Sequence, residues 1–324
     1  MFDLVIRNGS LVDGTGAPAK PGDIGIQDGR IAAVGEVPDK GRTEIDATGK
    51  IVAPGFIDPH THFDAQLLWD GQARPAIEHG VTTIVPGNCS LSLAPLKAEH
   101  RMKLVGMFNQ IEEMPLKAFS EGVEWNWESF DEFIARIRKG LAINVAPLVG
   151  HSVLRLWVMG DAAMERTATA DERAAMQALL RDCLSAGAVG LSTSFVDMDE
   201  TLQPVPSRLA DMEELDDLCA VLSEFGRILQ VERDGALAPV EHGEIGAFPI
   251  LPFRLEDSGF VTELRMLDVA RQAGALSGVD AHPTLLAAHT VPVEYRDRRD
   301  DYLELVCEEI IPAAVGRAAA VGVF

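Results

Sequence analysis

The chain has 324 residues, 47% of them hydrophobic, with a mean hydropathy of +0.08, enough to bury one large α/β domain or two smaller ones. A formal net charge of −22 and a pI near 4.7 argue against nucleic acid or an anionic membrane as partner and leave a small-molecule substrate. The four cysteines (Cys89, Cys183, Cys219, Cys307) lack paired spacing, no signal-peptide pattern opens the chain and no apolar stretch is long enough to span a bilayer, so reduced thiols and a cytoplasmic setting are expected.

Residues 3 to about 53 read as short strands and turns. Apolar bursts at Leu4-Val5-Ile6, Ile24-Gly25-Ile26 and Ile31-Ala32-Ala33-Val34 are punctuated by Asn8-Gly9, Asp13-Gly14, Pro21-Gly22 and Asp28-Gly29. This predicts a small β-unit over 1–53 and a second domain over 54–324. After the extended apolar run 51–59, strand candidates at 82–87, 143–150, 189–193 and 228–231 alternate with helical stretches at 97–108, 129–139, 171–186 and 211–225. Helix 129–139 opens on Ser129 with Glu132 three residues on, and 171–186 runs from Thr169-Ala170-Asp171-Glu172 to a stop at Gly187.

Apolar strands alternating with helices predict an α/β fold with a parallel sheet covered by helices. At this length a (β/α) barrel is preferred to an open doubly wound sheet, because no glycine-rich dinucleotide or phosphate-loop pattern follows a strand. Residues 232–257 fit neither period; beyond them 261–273 reads as helix, 284–289 as strand and 299–315 as helix. The apolar residues 318–324 read as a buried strand cut short, so the barrel is expected to be incomplete at its C-terminal end.

In a parallel barrel, chemistry gathers at the C-terminal ends of the strands. His60 and His62, one residue apart after the run 51–59, point to one face and can reach one ion. Neutral imidazole suits zinc. The second barrel strand ends in Asn88-Cys89-Ser90, where the cysteine is either a small buried thiol or, beside the histidine pair, a thiolate ligand. His151 follows the third strand as a group that polarises a carbonyl or touches substrate, or as a hydrogen-bonded core histidine. Ser192-Thr193-Ser194 ends the fourth, holding substrate or capping the next segment. His289 follows a late strand candidate and is a candidate catalytic residue on the same ground. Asp64 is expected to orient a metal-binding histidine. His79 reads as a helix end, His100 as a surface helix residue, and His242 has no assignment.

The run Gly55-Phe56-Ile57-Asp58-Pro59-His60-Thr61-His62-Phe63-Asp64, preceded by the β-unit, resembles the amidohydrolase superfamily. More narrowly, residues 80–95 with Asn88-Cys89-Ser90-Leu91, the Trp125-Asn126-Trp127 triplet, and residues 144–152 and 186–194 resemble the N-acyl-D-amino-acid deacylases (D-aminoacylases). The likeness covers roughly residues 1–231. It implies a (β/α) barrel with a small β-sandwich, and a hydrolase acting on carbon–nitrogen bonds other than peptide bonds. It also implies hydrolysis of the amide of N-acyl-D-amino acids by metal-activated water, with one or two Zn2+ ions. The family's strand-end histidines and its cysteine after the second strand are metal ligands, and they map onto His60, His62 and Cys89. The family's later metal histidines, its late aspartate and its substrate-binding arginine have no motif match here. Residues of about 257–324 resemble imidazolonepropionase instead, where the histidine matching His289 contacts substrate. Cyclic-amide hydrolysis and a non-catalytic truncated or fused fragment therefore stand as alternatives.

Overall fold

The computed structural model describes residues 1–112, 114–232, 271, 284–285, 295, 298–318 and 320–321. The chain separates into two compact units, Met1–Phe56 and Ile57–Phe324.

The first unit is one five-stranded sheet. Its strands are β1 (Phe2–Leu11), β2 (Lys20–Gln27), β3 (Arg30–Gly35), β4 (Gly41–Asp46) and β5 (Ile51–Val52), in the order β3-β2-β1-β4, with β5 also on β1. β1–β2 and β2–β3 are antiparallel, while β4 and β5 join β1 in parallel. The β2–β3 hairpin turns on Asp28 and Gly29, both at positive φ (52° and 70°), which is the backbone a tight hairpin of this twist needs. Arg7 ties the unit together by bonding Asp23 at 3.0 Å and Glu44 at 2.8 Å, and it also donates to the carbonyl of Val37.

Next along the chain, β6 (Phe56–Asp58), which opens the second unit from Ile57, is followed by a short helix α1 (Arg74–Glu78) and then β7 (Val81–Ile84). Helices α2 (Arg101–Glu112), α3 (Leu116–Gly122) and α4 (Phe130–Ile137) lead to β8 (Asn144–Val145) and β9 (Leu148–Gly150). Then come α5 (His151–Met159), α6 (Ala170–Ala186), β10 (Gly190–Ser194), α7 (Met212–Phe225) and β11 (Ile228–Glu232). Two parallel ladders run in chain order, β6-β7-β8 and β9-β10-β11. Backbone bonds from Ala146 to Ile84 and from Leu148 to Pro86 (both 2.9 Å) carry the second ladder on from the first. The stretch 143–150, expected as one strand, is divided because Pro147 has no N–H to give the ladder; its carbonyl still accepts from Val189 at 2.9 Å.

The helices cover this sheet because their apolar residues recur on one face. α4 buries Phe130, Phe133, Ile134 and Ile137, and α6 buries Met176, Leu180, Cys183 and Leu184. Each large side chain so removed from water contributes about 1.5–3 kcal/mol. Ser129 and Thr169 form capping boxes with Glu132 and Glu172, and α6 ends at Gly187 with φ 119°. The helical stretch expected at 97–108 starts as a 3-10 turn over Ala98–His100 and runs directly into α2, which extends to Glu112. His100, expected on the surface, is buried at only 7% exposure. Helix α5, which begins directly at the end of β9, escaped the sequence reading.

Of the C-terminal stretch, helical segments over Arg299–Leu305 and Ile311–Ala314 flank a π-helical turn. Thr284–Leu285 pairs in parallel with Ala320–Val321. The rest of the expected 284–289 strand, and the helix expected at 261–273 apart from Arg271, lie outside the described residues. Among the described residues no helix is long and apolar enough to cross a membrane.

The Thr169 hydroxyl accepts the Glu172 N–H at 3.3 Å while the Glu172 carboxylate returns to the Thr169 N–H at 2.8 Å. Replacing Thr169 with alanine is expected to cost about 1 kcal/mol, read as a lower urea midpoint at unchanged slope.

Candidate metal centre

The pairing of β6 with the chain beyond β7 continues past both strand ends. The N–H of Val85 bonds the carbonyl of Asp58 at 2.9 Å, and the N–H of Thr61 bonds the carbonyl of Val85 at 3.1 Å. This short reach of extended backbone carries His60 and His62. Their Nε2 atoms lie 3.3 Å apart.

Cys89 reaches the same point from the next strand by an unusual backbone. Gly87, Cys89 and Ser90 have φ values of 88°, 54° and 62°. For Cys89 and Ser90 the left-handed conformation costs about 1–2 kcal/mol each. At Gly87 a Cβ would stand 2.4 Å from the carbonyl oxygen of Leu148, so glycine alone fits. Polar groups from three neighbouring segments, with the turn's own Asn88, hold it. Asp64 accepts the Gly87 N–H at 3.1 Å, and the Ser192 hydroxyl donates to the Gly87 carbonyl. The Asn88 amide donates to the carbonyls of Val85 (2.6 Å) and Thr61 (3.2 Å). Ser152 meets Ser90 twice, hydroxyl to hydroxyl at 2.8 Å and N–H to carbonyl at 3.1 Å.

The result is a compact triangle of donors. Sγ of Cys89 lies 3.3 Å from Nε2 of His60 and 3.5 Å from Nε2 of His62. Zn–N bonds of about 2.0–2.1 Å and a Zn–S bond of about 2.3 Å give tetrahedral edges of about 3.3–3.4 Å between nitrogens and about 3.6 Å between nitrogen and sulfur. The three observed edges, 3.3 Å between nitrogens and 3.3 and 3.5 Å between nitrogen and sulfur, lie within about 0.3 Å of those values. Two imidazoles and a thiolate are also the donor types that a borderline-soft divalent ion selects. His60 and Cys89 are buried, and the His62 side chain is 10% exposed.

Asp64 differs from expectation. Its carboxylate bonds the backbone of Gly87, and burial pushes its pKa up to about 7. It thereby fixes the cysteine turn, and the bonding seen for it reaches no histidine.

His151 sits at the first position of α5 and is fully buried. Its Nδ1 is 2.9 Å from the Thr193 hydroxyl and its Nε2 is 2.7 Å from Oε1 of Glu214. Arg155, also fully buried, bonds the other Glu214 oxygen and the carbonyl of Arg166. Both ring nitrogens of His151 are thus engaged inside the protein, the bonding of a core histidine. Ser192 and Thr193 take part in this interior bonding, while Ser194 receives the N–H groups of Val196 and Asp197. His289 and His242 lie outside the described residues.

Two carboxylates went unnoticed in the sequence. Glu214 stands three residues after Asp211 at the start of α7, where it reads as half of a capping box. Asp211 does accept its N–H at 2.9 Å, but the glutamate side chain turns inward to His151 and Arg155. Burial alone would raise the Glu214 pKa; the bonds from His151 and Arg155 outweigh it and hold the carboxyl below its ordinary range. Glu112, at the end of α2, places Oε1 3.1 Å from Nε2 of His62. Nothing in the local pattern of a helix 50 residues downstream of His62 marks it.

The sequence pattern of the amidohydrolase family matches residues 43–228, more than half of the chain. The chain belongs to the amidohydrolase family. It is 39% identical over 229 residues to the D-aminoacylase of Alcaligenes xylosoxydans xylosoxydans, a match covering 70% of this chain and 43% of that protein. A crystal structure of D-aminoacylase, described as defining a novel subset of amidohydrolases, superposes on 100% of this chain and 58% of its own at a TM-score of 0.65 and 30% identity. The N-acyl-D-glutamate deacylase of Bordetella bronchiseptica, solved with zinc and a phosphonate mimic of the tetrahedral intermediate, gives a TM-score of 0.63 and 28% identity, over 100% of this chain and 58% of its own. The chain thus spans about half the length of the relatives it matches.

Glu214 is expected to stabilise the fold of this amidohydrolase above about pH 4.5, its ordinary value, and to lose that contribution as pH falls through its depressed one. Glu214→Gln, which leaves Arg155 buried without its counter-charge, should cost about 3–5 kcal/mol near neutral pH. It should also flatten the acid side of a stability profile measured by urea unfolding.

Proposed function

We propose that this chain is the metal-binding part of a zinc-dependent amidohydrolase that cleaves the amide of N-acyl-D-amino acids. The observation that carries the reading is the donor triangle of His60, His62 and Cys89, with edges of 3.3, 3.3 and 3.5 Å. Support for the substrate class comes from the 39% identity with D-aminoacylase over 229 residues. On the same reading the parallel strands β6 to β11 are the first part of a (β/α) barrel, and the N-terminal sheet is one layer of a small β-sandwich. The undivided thiol complement suits a cytoplasmic protein.

His60 and His62 would each give an Nε2 lone pair, and Cys89 would give a thiolate. Bound there, zinc supplies Lewis acidity, polarising the amide carbonyl and bringing the acidity of water near neutrality. The chain's own residues set the stage for that chemistry. Asp64 and Ser192 hold opposite ends of the Gly87 residue, so the sulfur is delivered by a braced turn rather than by a free loop. The thiolate would offset half of a divalent charge. His151 acts by position, fixing the end of β10 through Thr193. His289 stays in the proposal as a substrate contact on the resemblance alone.

Zinc measured by mass spectrometry in purified wild-type protein is expected near stoichiometric, and sharply lower in Cys89→Ala and His60→Ala. Unchanged zinc in either variant removes the centre. Release of free D-amino acid from N-acetyl-D-amino acids by the full chain, with no release from the L-isomers, tests the substrate class.

A further inference from the structure

The donor triangle leaves one acidic neighbour without a role. Oε1 of Glu112 lies 3.1 Å from Nε2 of His62, the same ring nitrogen that faces His60 and Cys89. The pair is mostly withdrawn from water, with side-chain exposures of 10% for His62 and 21% for Glu112. A separation of 3.1 Å is close to the 3.3 and 3.5 Å edges of the triangle itself, and so to the spacing of adjacent donors around one ion. The carboxylate flanks the triangle on the His62 side. It is not among the donors that all lie within 4.8 Å of one another, so rotation about its side-chain bonds must bring it to the other two.

Charge favours that rotation. A divalent ion among two neutral imidazoles and one thiolate keeps a net charge of +1 in a buried pocket, and a single carboxylate cancels it. Uncompensated charge away from water is costly, and carboxylate is an ordinary zinc donor at about 2.0–2.2 Å. Glu112 also sits on a regular helix, which fixes where its backbone starts, while its three side-chain torsions supply the reach.

We propose that Glu112 is a fourth protein donor to the ion that His60, His62 and Cys89 would hold. The inference rests on the metal reading of that triangle and adds to it a ligand from α2, an element outside the strand ends. It makes the site a two-histidine, cysteine and glutamate centre assembled within residues 60–112.

The test is zinc affinity of the full chain, by competition with a chromogenic chelator, together with the visible spectrum of the cobalt-substituted protein. Glu112→Gln is expected to weaken zinc by about tenfold or more and to shift the cobalt bands. Glu112→Asp, which keeps the negative charge and the donor oxygens on a shorter arm, is expected to recover part of the affinity that Glu112→Gln loses. Glu99→Gln, an exposed acid beside His100, should change neither readout. Matching thermal melts of the metal-free variants separate ligand loss from misfolding. Unaltered affinity and bands in Glu112→Gln, with zinc lost from Cys89→Ala, overturn the fourth donor alone, as does a loss of affinity with the cobalt bands unmoved. Zinc retained in Cys89→Ala overturns the triangle and this inference together.

Discussion

The second unit is organised around a short turn with an unfavourable backbone. Cys89 and Ser90 both occupy the left-handed region, and neither is glycine. Such a turn persists only when its surroundings over-determine it. Here Asp64 comes from the segment after β6, Ser152 from the start of α5 and Ser192 from β10, and all three bond the turn or its flanks. The sheet therefore does more than carry the metal-binding candidates. Its successive strands supply the bonds that compensate a strained residue, and the strained residue aims the sulfur.

The same economy governs the interior behind that turn. His151, Thr193, Glu214 and Arg155 form a bonded set with almost no exposure. A buried ion pair is not in itself a source of stability, but removing one member leaves a charge stranded. The set locks α5, β10 and α7 together and leaves the mouth-side groups to other work. Ser192 and Thr193, adjacent on β10, show the division: one bonds the cysteine turn and the other the buried histidine.

Much of this was legible in the sequence, for identifiable reasons. Helix starts at Ser129 and Thr169 and the stop at Gly187 are local events, set by a side chain bonding its own neighbours, and local events survive without tertiary knowledge. The pairing of His60 with His62 follows from two-residue periodicity, and Cys89 was placed by its position after a strand. What failed was non-local. Glu214 carries the signature that Glu132 and Glu172 carry, yet its side chain left the cap for an arginine 59 residues earlier. Strand 143–150 divided at Pro147 because a missing N–H matters only once a partner strand exists. His100 is buried through neighbours that no periodicity over its own short turn could reveal.

The three donors of the triangle all fall between residues 60 and 89. Closing a loop that short costs little chain entropy, and the cost grows only slowly with length. A cation captured there would cross-link the ends of the first two strands of the parallel array, adding to the bonds that Asp64, Ser152 and Ser192 already make to the cysteine turn. On the proposed reading the ion would then act as a staple of the folded sheet as well as a reagent, because binding a site that the unfolded chain lacks adds to the stability of the fold.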